Sequence, residues 1–229
     1  MMKAILEQVK NKMPGSLTIR QWIFISSAFS IMLLVLKILV SYRFSYAFLA
    51  WNLFLAYIPL FLSNWLGKHP EVVSNKLKLV LAIALWMLFM PNSFYIVTDL
   101  FHLQNGHNRN PWFDLTLILS FAWNGILYGI ISIGKMEILL KKTRGRVLST
   151  FVICLVMWLN AVGVYIGRFL RFNSWDVVVN PVPLFDDLAD MLSNPYDYKH
   201  AWAMSVCFSL FMIIMYYTTK KLAEVFKNA

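Results

Sequence analysis

Apolar residues gather along this chain in six blocks, at about 20–41, 46–66, 77–97, 113–134, 147–168 and 201–219, each nearly free of charge. Crossing about 30 Å of hydrocarbon takes roughly 20 residues of helix, and every block meets that length. Hydrocarbon offers backbone N–H and C=O groups no partner, so a spanning segment must be a helix or part of a closed barrel. Unbroken apolar runs of this length lack the alternation of barrel strands. The pattern predicts an all-α, polytopic integral membrane protein: six transmembrane helices forming one membrane domain over 1–229. The first block follows Lys3, Lys10, Lys12 and Arg20, yet it is longer than a signal-peptide core and lacks an A-x-A site, so it reads as a retained helix. Residues 1–19 set Ile5, Leu6 and Val9 against Lys3, Glu7 and Lys10, the pattern of a short amphipathic helix on a membrane surface.

The same class follows from composition, with 59% apolar and 14% charged residues and a mean hydropathy of +0.62. Orientation follows from lysine and arginine, which accumulate on the cytoplasmic side. Fifteen of them fall before the first block, after the last, or in the 2/3 and 4/5 connections, and five fall in the alternate connections. Both termini are therefore expected in the cytoplasm. The net charge of +10 then reports topology and suits anionic headgroups; it does not call for nucleic acid. Every aspartate (Asp99, Asp114, Asp176, Asp186, Asp187, Asp190, Asp197) falls on the side predicted to be external, whereas Glu7, Glu71, Glu137 and Glu224 fall inside. Carboxylates contribute little to orientation, so a functional outer face competes with a merely solvated one as the explanation. Cys154 and Cys207 lie in the fifth and sixth blocks at depths differing by on the order of 10 Å at helical rise, beyond disulfide reach.

The longest connection, 169–200, carries Pro181, Pro183 and Pro195. Within 183–192, Leu184, Leu188, Met191 and Leu192 fall on one helical face and Asp186, Asp187 and Asp190 on the other. A short external cap helix is predicted, covering the mouth of the bundle or serving as a cation site or a docking surface for a membrane protein partner.

Polar residues inside spans are costly, which makes their depth informative. Asn52, Asn124 and Asn160 fall in the outer half or near the midplane, so they either bond across helices or line an outward-facing cavity. Pro91 removes a backbone donor near the outer end of the third span, where the helix is expected to kink or end, with Asn92 and Ser93 bonding locally. Beyond it, Tyr95, Asp99 and His102 share a face if helical geometry resumes. A carboxylate and an imidazole three residues apart serve as base and orienter or hold a metal, and His107 and Asp114 are candidates to complete the set. Lys37 reads as a snorkelling lysine. Arg168 and Arg171, at i and i+3 where the fifth span leaves the membrane, are followed by Asn173, Trp175 and Asp176. They either snorkel to headgroups, with Trp175 in an aromatic belt, or grip a phosphate bidentately. Two G-x-x-x-G spacings, Gly125/Gly129 and Gly163/Gly167, suit close packing of the fourth and fifth spans. No nucleotide, zinc-hydrolase or serine-hydrolase motif occurs, and no cofactor is implied.

The segments Pro91–Leu100, Trp112–Leu115, Ser120–Gly125 and Gly167–Asp176 resemble, in order and spacing, a family of bacterial multi-pass membrane proteins of unknown function, over roughly residues 45–215. The resemblance implies a bacterial cytoplasmic membrane and a family signature at Pro91, Asn92, Tyr95, Thr98, Asp99, Arg168, Asn173 and Trp175. It implies no substrate. The leading expectation is an outer-face protein of envelope biology, an enzyme or accessory factor for a phosphate-bearing lipid or lipid-linked sugar. Arg168 and Arg171 would bind the anion and Asp99 would act as base or metal ligand, supported by His102 and Asp114. A small-solute transporter lined by Asn52, Asn124, Asn160 and Tyr95 is the alternative, and a non-catalytic assembly partner the third.

Overall fold

The computed structural model describes residues 17–104 and 110–228, and among these every regular element is helical. In chain order they are α1 (Ile19–Ser41), α2 (Phe48–Leu66), the short α3 (Pro70–Ser74), α4 (Lys76–Tyr95), a 3-10 segment (Ile96–Gln104), α5 (Pro111–Arg144) and α6 (Arg146–Tyr165). A π-turn (Ile166–Leu170), α7 (Asp176–Val179), α8 (Pro181–Ser193) and α9 (Lys199–Asn228) follow. Six of these helices are long and apolar enough to cross a membrane. The expected amphipathic helix falls largely outside the described residues, as does His107.

With six crossings, the start of α1 and the end of α9 share one end of the bundle, called here the terminal end. The 3-10 segment, the π-turn, α7 and α8 occupy the other, the cap end. α5 is the central helix, with more than half of its apolar stretch buried, and it packs against α1, α2, α4 and α6. α9 lies outermost against α6. α2 and α6 both pack on α4 and make no comparable contact with each other.

Several boundaries depart from expectation. α5 runs on to Arg144, where Gly145 alone, at φ +83°, turns the chain into α6. Pro91 does not end α4, which continues to Tyr95 before tightening into the 3-10 segment. The cap helix forms as predicted but is longer, and Leu192 is 67% exposed while Leu184 and Met191 are buried. It is tied at its end by Asp190, whose carboxylate accepts from the hydroxyl of Tyr198 (2.7 Å) and from the amide of Asn194. Those bonds hold the Asp190 carboxyl below its ordinary range, and the Tyr198 hydroxyl is pushed up to about 12 by the carboxylate it serves.

Apolar packing alone specifies little between helices in lipid, where the tails are as apolar as leucine, so buried polar links and small residues set register. One link is a chain through three helices: Trp86 Nε1 donates to Ser132 Oγ (2.8 Å), which donates to the Pro59 carbonyl (2.8 Å). A second is an Asn124 cluster, in which Asn124 Nδ2 donates to Ser30 Oγ (2.9 Å) and Ser27 Oγ lies 3.2 Å from Asn124 Oδ1 and 2.6 Å from the Tyr128 hydroxyl, joining α1 to α5. Lys37 does not snorkel. Its ammonium pairs with the fully buried Asp114 on α5.

The glycine pairs do not face one another; both grip α4. A Cβ on Gly125 would sit 2.6 Å from the Ser93 carbonyl oxygen, and one on Gly163 would sit 2.5 Å from Pro91 Cγ. By contrast, the nearest neighbour of a Cβ on Gly134 is the Tyr216 ring at 3.9 Å.

Two outcomes follow for the purified protein in detergent. Gly163→Ala should lower the thermal midpoint, an overpacking cost of about 1–3 kcal/mol, whereas Gly134→Ala should be near neutral; equal effects would contradict the close approach. Lys37→Met alone should cost about 3 kcal/mol by leaving Asp114 buried without its counter-charge. Combined with Asp114→Leu it should recover most of that loss, and a strictly additive double variant would show that the pair is not coupled.

Candidate functional site

At the cap end the Pro91–Leu100 segment is locked from three sides. Pro91 has no N–H to offer the Met87 carbonyl, and local side chains occupy the carbonyls next along: Asn92 Nδ2 donates to Phe89 O (3.0 Å) and Ser174 Oγ to Leu88 O (2.9 Å). Asn92 Nδ2 also donates to Ser174 Oγ (2.9 Å), so the connection after α6 is stitched onto α4. Ser93 reaches α2 through the Ala56 carbonyl (3.0 Å). The glycine faces of α5 and α6 close the remaining sides.

The 3-10 turn that follows stacks residues three apart, which brings Asp99 and His102 to the same side. Asp99 is 1% exposed. Asn52 Nδ2 on α2 donates to its Oδ2 at 2.9 Å. Arg168, from the π-turn, approaches Oδ1 at 3.5 Å and His102 Nε2 at 3.4 Å. The Asn52 bond is the well-formed one at that distance; the arginine acts mainly through charge. Arg168 also lies over the Phe101 ring, 5.4 Å from its centroid. One carboxylate therefore joins α2, the 3-10 segment and the turn after α6.

Above this triad lies a cavity of about 360 Å³. α4 forms its back wall through Met87, Leu88, Pro91, Asn92 and Tyr95; Asn52 and Leu55 of α2 form one side; Gly163, Ile166 and Gly167 form the other. Phe172, Asn173, Ser174 and Val177, with Leu184, Phe185 and Leu188 of α8, form the lid. Asn173 is fixed in a turn whose backbone N–H donates to Asp176 Oδ2 (2.6 Å), and Trp175 packs edge-on against Trp51 of α2, 6.2 Å between centroids.

The structure thus gathers Asn52, Asn92, Tyr95 and Asn173 around one cavity, with Trp175 at its edge and Asp99, His102 and Arg168 behind Asn52. It does not bring in the others. Asp114 belongs with Lys37 rather than with Asp99 and His102, and Asn124 is bound within the α1–α5 cluster. Asn160 is buried with its Nδ2 unpartnered and is not part of the cavity wall. Arg171 is exposed at φ 62°, apart from the inward-facing Arg168, because the chain reverses out of the π-turn there; the two do not form a paired clamp. Among the described residues no three of His, Cys, Asp and Glu come together as metal ligands.

Sequence reasoning missed Ser174, the tie between lid and wall, and the apolar side of α8 as part of the lining. It also missed Glu137 at the terminal end, 3% exposed, which accepts from the Tyr216 hydroxyl (2.7 Å) and Lys220 (2.6 Å) and lies 3.1 Å from Lys141. The available signal was a lone glutamate placed four residues before Lys141 on a long helix.

No curated protein and no solved structure matches this chain. A family model does, over residues 51–215, from the first tryptophan beside the cavity to the middle of α9, and the chain belongs to that family, the proteins of unknown function described as DUF1361.

Proposed function

We propose that this protein binds a membrane-derived amphipathic ligand in the cap-end cavity and serves a lipid-handling step of a bacterial envelope from the outer face of the cytoplasmic membrane. The observation that carries this reading is the cavity itself. Its 360 Å³ falls in the size range of ligand sites, roughly 300–1,000 Å³, and its walls are mostly apolar with a few amides and one phenol. α2 and α6 both pack on α4 and make no comparable contact with each other, and the cavity is lined from both of them. The cap orientation follows from fifteen lysines and arginines at the terminal side against five on the cap side.

A role for Asp99 as a base acting on substrate has less support, because Asp99 is not on the cavity wall and both of its oxygens are engaged. Its geometry suits positioning: it holds the Asn52 amide and thereby sets which way that side chain presents its carbonyl. The phosphate clamp of two arginines loses its basis with Arg171 turned away. Accessory or carrier activity is favoured over chemistry, and a transport path over neither, since Asn124 and Asn160 do not extend the cavity.

Lipid co-purifying with the protein in mild detergent tests the reading. Native mass spectrometry should find about one lipid retained by wild type, and Leu188→Trp, which fills the cavity from the lid, should abolish retention while leaving the thermal midpoint within a few degrees. Retention unchanged in Leu188→Trp would place the lipid elsewhere. The orientation has its own test in intact cells: a membrane-impermeant maleimide should label Asp186→Cys on the cap and leave Lys142→Cys unlabelled until the membrane is opened, and the reverse pattern would invert the topology.

A further inference from the structure

We infer that the head group this cavity admits is uncharged and hydroxyl-rich, that of a glycolipid or similar polyhydroxyl lipid, and that Asn52, held by Asp99, and Tyr95 select it. The inference rests on the lipid-binding reading above and names its ligand class.

Charge comes first. Every residue of the cavity wall is neutral. Behind the wall, Asp99 and Arg168 lie 3.5 Å apart and offset each other's charge, with side chains 1% and 16% exposed, and the carboxylate nearest the lid, Asp176, is turned to the Asn173 backbone N–H. A phosphate entering such a space would give up hydration and meet no cation on the wall, which disfavours an unpaired buried ion.

Hydrogen-bond polarity then narrows the class. A carboxamide has two donors and one acceptor oxygen. Asn92 spends its Nδ2 on Phe89 O and Ser174 Oγ, and Ser174 spends its hydroxyl hydrogen on Leu88 O. Asn52 gives one Nδ2 hydrogen to Asp99. What remains on the wall both accepts and donates: the side-chain oxygens of Asn52 and Asn92 accept, and the second Asn52 hydrogen, the Asn173 amide and the Tyr95 hydroxyl can donate. Phosphates and carboxylates are themselves acceptors only, so they would leave the Asn52 and Asn92 oxygens unserved and find no cation on the wall. An ammonium supplies donors but finds no carboxylate among the wall residues. Hydroxyl groups supply donors without charge, and they also accept, which uses the second Asn52 hydrogen and the Tyr95 hydroxyl. The apolar faces of Leu184, Phe185 and Leu188 then cover the acyl chains.

The test places the full-length protein in nanodiscs holding equal mole fractions of monoglucosyl diacylglycerol, phosphatidylethanolamine and phosphatidylglycerol, then reads by native mass spectrometry which lipid is retained on release. The expected result is enrichment of the glucolipid over both phospholipids. Tyr95→Phe, a mild change, should reduce that preference by roughly threefold to tenfold, the worth of one lost hydrogen bond of about 0.5–1.5 kcal/mol. Asn52→Leu should reduce it at least as much, and Arg171→Gln should leave it unchanged. Preferential retention of either phospholipid, or dependence on Arg171 with none on Tyr95, would overturn the inference while leaving a lipid site standing. Retention of no lipid would remove both this inference and the reading beneath it. Displacement of the glucolipid by excess free methyl glucoside would make the ligand a soluble sugar, which overturns the lipid reading and the glycolipid inference with it.

Discussion

A carboxylate buried in a bundle that faces hydrocarbon has to be compensated in place, and Asp99 is the point on which the cap end of this protein depends. Water is unavailable to it at 1% exposure, so its partners must come from other elements. Asn52 comes from α2, Arg168 from the turn after α6, and His102 from the same 3-10 turn. α2 and α6 make little contact with each other; this acid, together with the Trp51–Trp175 contact, links their cap ends.

The proline in α4 has its meaning in that setting. Inside an isolated helix, Pro91 would cost about 3 kcal/mol through a lost bond and a ring clash. Here Gly163 leaves room for the ring, since any Cβ would lie 2.5 Å from it, and the neighbouring carbonyls take donors from Asn92 and Ser174. The helix continues to Tyr95. The features that make this segment unusual in sequence are those that build the back wall of the cavity.

Most of the architecture was legible because the hydrophobic effect and backbone satisfaction write it directly into the chain. Six apolar runs of spanning length can form little else in lipid, and the cap helix announced itself through prolines and an alternating face. What was not legible lay in partner choice. Asn52, Asn124 and Asn160 are equivalent by depth, yet one binds Asp99, one binds two serines of α1, and one keeps its amide unpartnered. Lys37 resembled a snorkelling residue because its distance along the helix from the loop is short; only the packing of α1 on α5 reveals that Asp114 intercepts it. Arg168 and Arg171 look like a pair at i and i+3 because helical geometry was assumed through 171. The π-turn and the left-handed Arg171 break that register. For Asn52, Asn124 and Lys37 a tertiary contact outranks the local rule; for Arg171 the backbone itself leaves the helical register.

Three buried acids divide the work of holding the helices. Asp114 ties α5 to α1, Glu137 ties α5 to α9 through Tyr216 and Lys220, and Asp99 ties α2 to the turn beyond α6. Two of the three start from α5, the most buried helix, and join it to the peripheral α1 and α9, where lipid-exposed surface gives packing the least leverage. The third links α2 to the turn beyond α6, from a 3-10 segment that itself packs on the central helix. Small residues draw α5 and α6 onto α4, whereas the cap ends of α2 and α6 are linked by a desolvated carboxylate that holds one asparagine and faces one arginine. That tie fails if either partner is removed and the acid is left buried without compensation.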